Sequence, residues 1–308
     1  MGLLGLWVQT FEPIAWAEEL VEPARAVDHP RLAFLYVMAS QCFTPGRIEA
    51  AVRYSDAGQI VLGRSRDAVP YGIEAVLGVA YVAIGQPERC VKLCRAQLPR
   101  GRDTHTFTQA CLTVALALAG CGEEARAAAD GLIEAAEATD NPWALSQALF
   151  AYGSAFAERD ALRRGLVIAQ DSGNRLAESL LAASLSRLEA KYGDPLAALD
   201  YFTLVIRNLH DAGNTFLILS PLALLAVLFD RLGRYEPAAT IAGFAVNPFT
   251  TATNPEITTA SAHLRDVLGD QTYESLAHKG DTMTIAEMVA YAYDQIDQTR
   301  TELDAVSK

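Results

Sequence analysis

Cys90 and Cys94 stand four residues apart, the spacing that puts two side chains on one face of a helix. Two thiolates so placed are half of a tetrahedral metal site, which needs further Cys or His ligands to close. No second motif supplies them. The pair therefore reads as small buried thiols that pack like apolar side chains. The chain has five cysteines, an odd number, and this is not the arithmetic of a disulfide framework. Glu18, Glu19 and Glu22 crowd one helix. Paired carboxylates do acid–base work when buried together, but this cluster reads as a solvated face. The histidines, His29, His105, His210, His263 and His278, are scattered. A lone His near a helix end faces water or caps a carbonyl. The chain contains no G-x-x-x-x-G-K-[ST] phosphate loop, no H-E-x-x-H zinc helix and no G-x-S-x-G elbow. Gly153-Ser154 lacks the flanking glycines of such an elbow and reads as a helix contact. The residues thus assign no catalytic, metal or cofactor site.

The elements available to position a site form a repeat. Mostly uncharged stretches alternate with charged ones: 71–84 and 87–98, 106–119 and 123–138, 143–157 and 159–171, 216–229 and 231–245. One helix of each pair is covered on most sides, and the other shows a stripe to water. The joints share a form. Gly85, Gly120, Gly193 and Gly233 are each followed by a turn or cap-forming stretch, then by Cys90, Ala125, Ala198 or Ala238 five positions on. Gly suits the left-handed position that ends a helix, and Pro, Asp or Glu starts the next. The small residue lets the second helix approach the first. Two further joints lie at 44–46 and 158–160. The clear joints are 35, 73 and 40 residues apart, and the middle interval holds the joint near Asp160, making it two repeats.

Leu77-Gly78-Val79-Ala80-Tyr81, placed just before Gly85, resembles the first helix of a tetratricopeptide repeat. Leu112 and Leu116, Leu185, and Leu225 with Ala226 and Phe229 are partial matches, as are Ala125, Ala129, Leu132 and Ala198, Phe202, Val205 in the second helices. The repeat class covers about 30–245. A second resemblance lies in the tail: Leu264-Arg265-Asp266-Val267-Leu268-Gly269-Asp270, then Tyr273, Ala277 and Gly280, then 283–292. This is similar to the closing segment of large bacterial signalling regulators. Those join a nucleotide cyclase or STAND-type ATPase module to a tetratricopeptide-like solenoid, sometimes with a LuxR-type helix-turn-helix. No cyclase, ATPase or DNA-binding module is recognisable in this chain.

The expected fold is an all-α, tetratricopeptide-like superhelical solenoid of antiparallel helix pairs with a C-terminal helical cap, holding about twelve to sixteen helices. Residues 1–29 read as a truncated first repeat, 30–246 as helical repeats, and 247–308 as the capping segment. Pro and Thr in 247–255 disfavour a continuous helix there. Thr284 and Glu287 form a capping box, and Gly269 and Asp270 suit the end of one helix and the cap of the next. Residues 1–8 are apolar and uncharged. An uncovered apolar end drives association, so this segment is expected to pair across a homodimer or to dock where an upstream repeat sits in longer relatives.

Charge and hydropathy exclude several classes. The chain is 308 residues long with a net charge of -12, and 51% of it is hydrophobic. Disorder needs lower hydrophobicity. Direct nucleic-acid binding needs clustered Lys and Arg, which an acidic chain lacks. Residues 212–229 are uncharged but contain Gly213, Asn214 and Pro221 and have no topogenic flanks, so they read as buried helix rather than membrane span. The N-terminus lacks the basic start of a signal peptide, and a cytoplasmic location is expected.

Laying the 77–81 frame on the other repeats gives the lining of a concave face: Val79, Val82, Phe107, Val114, Trp143, Phe150, Arg187 and Asp230. Of these, Phe107, Trp143, Phe150, Arg187 and Asp230 are the candidate binding residues. Such a face takes a peptide or an amphipathic ligand. If a tight superhelix closes it, the same aromatics become core. The resemblance implies a non-enzymatic interaction or effector-sensing module of a signalling or transcriptional regulator, with a protein or peptide partner or a small effector and no cofactor. The rival readings are a self-assembly module without ligand and an all-helical enzyme.

Overall fold

The computed structural model describes residues 11–64, 69, 72–98 and 106–306. Residues 1–8 and His105 lie outside them. Among the described residues the chain is all-helical, with no strand, and no helix is long and apolar enough to cross a membrane. The chain divides into two compact units, Met1–Leu181 and Ala182–Lys308.

The first unit holds α1 (Glu12–Ala26), α2 (Leu32–Ala39), a 3-10 turn (Ser40–Phe43), α3 (Ile48–Arg64), α4 (Val76–Ala83), α5 (Pro87–Gln97), α6 (Thr106–Leu118), α7 (Gly122–Ala129), α8 (Leu132–Glu137), α9 (Pro142–Phe156) and α10 (Arg159–Asp171). Each packs mainly on its chain neighbours, and α6 also packs on α9. The helix α11 (Arg175–Tyr192) spans the boundary between units. The second unit continues with α12 (Pro195–Asp211), α13 (Leu219–Arg231), α14 (Tyr235–Ala245), α15 (Pro248–Thr253), α16 (Glu256–Leu268), α17 (Asp270–Asp281) and α18 (Ile285–Val306). Here α14 packs on both α13 and α17, α16 lies against α13 and α14, and α18 packs on α12.

Five of the six expected joints share one backbone device: a left-handed residue, Gly46, Gly85, Gly120, Ala157 or Gly233, after which Arg47 N also donates to Cys42 at 3.1 Å and Glu158 N to Gly153 at 3.0 Å. Gly85, Gly120 and Gly233 have φ of 71°, 75° and 75°, a region open to Gly because it has no Cβ. The next residue then donates its N–H five positions back, Gln86 to Tyr81, Cys121 to Leu116 and Arg234 to Phe229, each at 2.9 Å. This closes the helix end with the bonding of a Schellman motif. Gly193 turns differently and has no positive φ; Asp194 caps α12 there by accepting from Leu196 N at 3.0 Å, with Pro195 at the helix start.

The motif positions do packing work. Leu77, Gly78 and Tyr81 are all buried. A Cβ on Gly78 would meet Cys90 Sγ at 2.5 Å, so Gly78 and the small residue of the next helix set the spacing of α4 and α5 together. Tyr81 donates its hydroxyl hydrogen to Asp56 at 2.7 Å, and the Arg89 guanidinium lies 3.8 Å from the ring centre. A Cβ on Gly153 would meet Leu162 Cγ at 2.5 Å, which makes it the helix contact expected of it.

Several local expectations need correction. Residues 123–138 are two helices, because Asp130 is extended and Gly131 takes φ 66°. Residues 248–253 form a short helix, since Asn247 and Thr250 make a reciprocal capping box and Pro248 fits the first turn. Both raise the number of helices above the range expected. Asp270 is the first residue of α17 rather than its cap, which is Gly269. The Thr284–Glu287 box is present: Thr284 N donates to Glu287 at 2.8 Å and Glu287 N to Thr284 at 3.3 Å. The core of the second unit is continuous across residue 246, joining Phe202, Leu225 and Phe229 to Ile257, Leu264 and Met288.

Candidate functional site

In the first unit, the lining positions fall on α4, α6 and α9. Val79, Val82, Val114, Trp143 and Phe150 are half-buried, and Phe107 is buried. The Phe107 and Trp143 rings meet at 4.9 Å between centroids, inclined by 34°. This tilted contact suits the ring quadrupoles and is worth about 0.5–1.5 kcal/mol beyond area burial. The start of α9 places the indole: Asn141 accepts from Trp143 N at 3.0 Å, and Pro142 occupies the first turn. Trp143 also packs on the core that contains Leu112 and Leu116. Phe150 follows seven residues later, two turns along the same helix face. Phe107 and Trp143 thus share the core of the first unit, while Trp143 and Phe150 keep part of their surface exposed.

In the second unit, Arg187 and Asp230 both engage α16. Arg187 bonds Glu256 twice, Nε to Oε1 at 2.6 Å and Nη2 to Oε2 at 3.1 Å. Burial pushes the Glu256 carboxyl up, but the Arg187 hydrogen bond and charge outweigh it and hold the group below its ordinary value. Asp230 is buried and lies 2.8 Å from His263 Nδ1, while His263 is half-exposed. Tyr235 stands edge-on to the imidazole at 5.8 Å. Glu256 and His263 are two turns apart, so one face of α16 answers both residues. Ile257, Ala260 and Leu264 fix that helix in the core.

The other chemistry-bearing residues are occupied structurally. Cys90 and Cys94 are buried. The hydrogen bond with Cys90, then burial, pushes the Cys94 thiol far up, and burial does the same to Cys111. Burial raises Cys42 to about 11. Cys42, Cys94 and Cys111 therefore stay protonated and poorly nucleophilic near neutral pH. Among the described residues, no three His, Cys, Asp or Glu side chains are arranged to hold a metal ion. Glu18 is gripped by Arg47 at 2.8 and 2.5 Å, and Glu22 pairs with Arg25, so the carboxylates of α1 do not face one another.

Shallow open grooves among the described residues include two apart from the candidate positions. One of about 360 Å3 has Val91, Leu116 and Cys121 among its lining residues, with Lys92 and Arg95 beside them. Another of about 550 Å3 runs between α12 and α18, past Arg207, His210, Val289 and Tyr293.

Sequence reasoning missed the partners of Arg187 and Asp230, which lie 69 and 33 residues away. It also missed a second class of joint. Gly173-Asn174 and Gly213-Asn214 repeat the left-handed turn, with φ of 68° and 66°, and each Asn side chain accepts from the backbone three residues on, Ala177 N and Leu217 N. The two Asn lie 40 residues apart, as do Gly193 and Gly233, a spacing that could have revealed them. Compared with known proteins, the chain matches no family model and no curated protein.

Proposed function

We propose that this chain is a non-enzymatic interaction module, a tetratricopeptide-like solenoid of antiparallel helix pairs that binds a peptide segment of a partner protein along its first helices. The observation that carries the reading is the aromatic row in the first unit, Phe107 stacked on Trp143 with Phe150 two turns on. Trp143 and Phe150, half-buried beside the buried Phe107, cover more apolar area when a chain is laid across them, at little cost in side-chain freedom. The shared joint geometry at Gly85, Gly120 and Gly233, and the packing of successive helices, support the repeat reading. The resemblance of the tail to the closing segment of large bacterial signalling regulators supports a setting as a sensor segment that would report a bound partner to other modules.

The test is a peptide selection against the full chain. Selected peptides should be rich in aromatic and aliphatic residues, and Trp143→Ala or Phe150→Glu should weaken them by about tenfold or more, with helix content by circular dichroism unchanged. Peptides that bind both variants as well as the original chain would place the site elsewhere. Failure to select any peptide would remove the reading.

A further inference from the structure

The helix α1 is apolar over a wider arc than its neighbours cover. It packs on α2, with Ile14, Ala17, Val21 and Ala24 buried. Beside that face, Trp16, Leu20, Pro23 and Val27 follow the spacing i, i+4, i+7, i+11, a stripe along one side. They stay in water: Trp16 is 49% exposed, Leu20 52% and Val27 71%. Single exposed apolar residues are ordinary, but large ones in line mark an interaction surface. These residues lie on a different helix from the aromatic row of α6 and α9.

The border of the stripe carries a charge signal. Glu12 and Glu19 flank it on one side of the helix and are exposed. The other carboxylates of α1 are answered, Glu18 by Arg47 and Glu22 by Arg25. Among the described residues, Glu12 and Glu19 form no ion pair. Two exposed carboxylates thus stand beside an apolar strip, both acceptors. Their complement is a cationic donor flanking an apolar side chain.

We propose that this stripe docks an amphipathic helix of a partner protein, one with lysine or arginine bordering its apolar face. Two other occupants fit the charge worse. A second copy, itself at -12, brings its own Glu12 and Glu19 to the same border in an antiparallel symmetric pairing, setting like charges together. Residues 1–10 contain no charged side chain that could answer the two carboxylates. Trp16 to Val27 spans about 16 Å at 1.5 Å per residue, so a partner of about three helical turns covers it.

The experiment uses the full chain and two synthetic helical peptides of about fourteen residues, matched in an apolar i, i+4, i+7, i+11 stripe. One carries Lys at the bordering positions and its twin carries Glu. Titration by fluorescence anisotropy should show the Lys peptide binding about tenfold more tightly, with the advantage shrinking as salt is raised. Glu12→Lys with Glu19→Lys, both at exposed positions, should invert the preference. Trp16→Ser with Leu20→Ser should remove binding of both peptides. Equal binding of the twins, or none, overturns the proposal. So does a dimer in light scattering that is lost in the Trp16→Ser, Leu20→Ser variant, which gives the stripe to a second copy. Binding that emerges only after deletion of residues 1–10 gives the stripe to that segment instead.

Discussion

The two units bring their helices together through glycine, but the glycines face different things. In the first unit they face side chains: Gly78 meets Cys90, Gly153 meets Leu162, and Gly165 meets Leu149 and Leu181. In the second unit they face backbone. A Cβ on Gly243 in α14 would collide with the Ala277 carbonyl in α17, and one on Gly280 would collide with the Thr240 carbonyl. Both contacts look alike in sequence, as a small residue on a helix. They differ in what can yield. A side chain can change rotamer or be trimmed, whereas a packed backbone moves only with its whole helix.

The largest effect should follow Gly243→Ala. Its methyl has no room unless α14 and α17 separate, and that opens the core around Leu225, Ile241 and Leu264. A loss of about 3–5 kcal/mol is expected in urea denaturation. Trimming Ala277 to Gly should not restore it, because the obstruction is main chain. Recovery in that double variant would erase the difference between the units.

Gly78→Ala should cost less, about 1–3 kcal/mol, the range for overpacking that side chains can partly absorb. Here the partner can be trimmed. Cys90→Ala removes the sulfur that stands 2.5 Å from the new methyl, so the double variant should be more stable than Gly78→Ala alone. If Cys90→Ala instead adds its own full loss, the two sites are uncoupled and the contact is misread.

The smallest effect sharpens the comparison through pH. Glu256 is held below its ordinary value of 4.5 by Arg187. A depressed carboxyl contributes stability that is complete above the unfolded value and is lost as pH falls through the folded one. The second unit should therefore weaken as pH drops below about 4.5, and Glu256→Gln should flatten that slope. Because Arg187 is 37% exposed, solvent screening keeps the contribution under about 1 kcal/mol. An unchanged acid limb in Glu256→Gln would show the pair to be worth nothing.

What the sequence made legible was local. Gly85, Gly120 and Gly233 were readable as helix ends because a left-handed turn selects Gly and the next helix start selects Pro, Asp or Glu. The Thr284–Glu287 box was readable for the same reason. Asp130-Gly131 carried an equally plain turn signal, but the charge pattern of 123–138 hid it. The all-α class followed from the period of the apolar stretches. In the candidate site, laying one repeat over the next picked out Phe107 and Trp143 as lining positions, but not that their rings meet. The partners of Arg187 and Asp230 were not readable, since a separation of 69 residues is set by the path of several helices rather than by any spacing in the chain.

The last helix has a consequence for the order in which the protein is made. Arg300 on α18 reaches back to Asp200 and Thr203 on α12. The ribosome must therefore add 100 residues after Asp200 before its partner exists, about 5–20 s at ordinary elongation rates. In the first unit, helices meet the ones made just before them and can close as they emerge. The second unit must wait, with the apolar flanks of α12 and α14 uncovered until α18 arrives. A nascent chain stalled in that interval would be the species that chaperones see and that aggregates first.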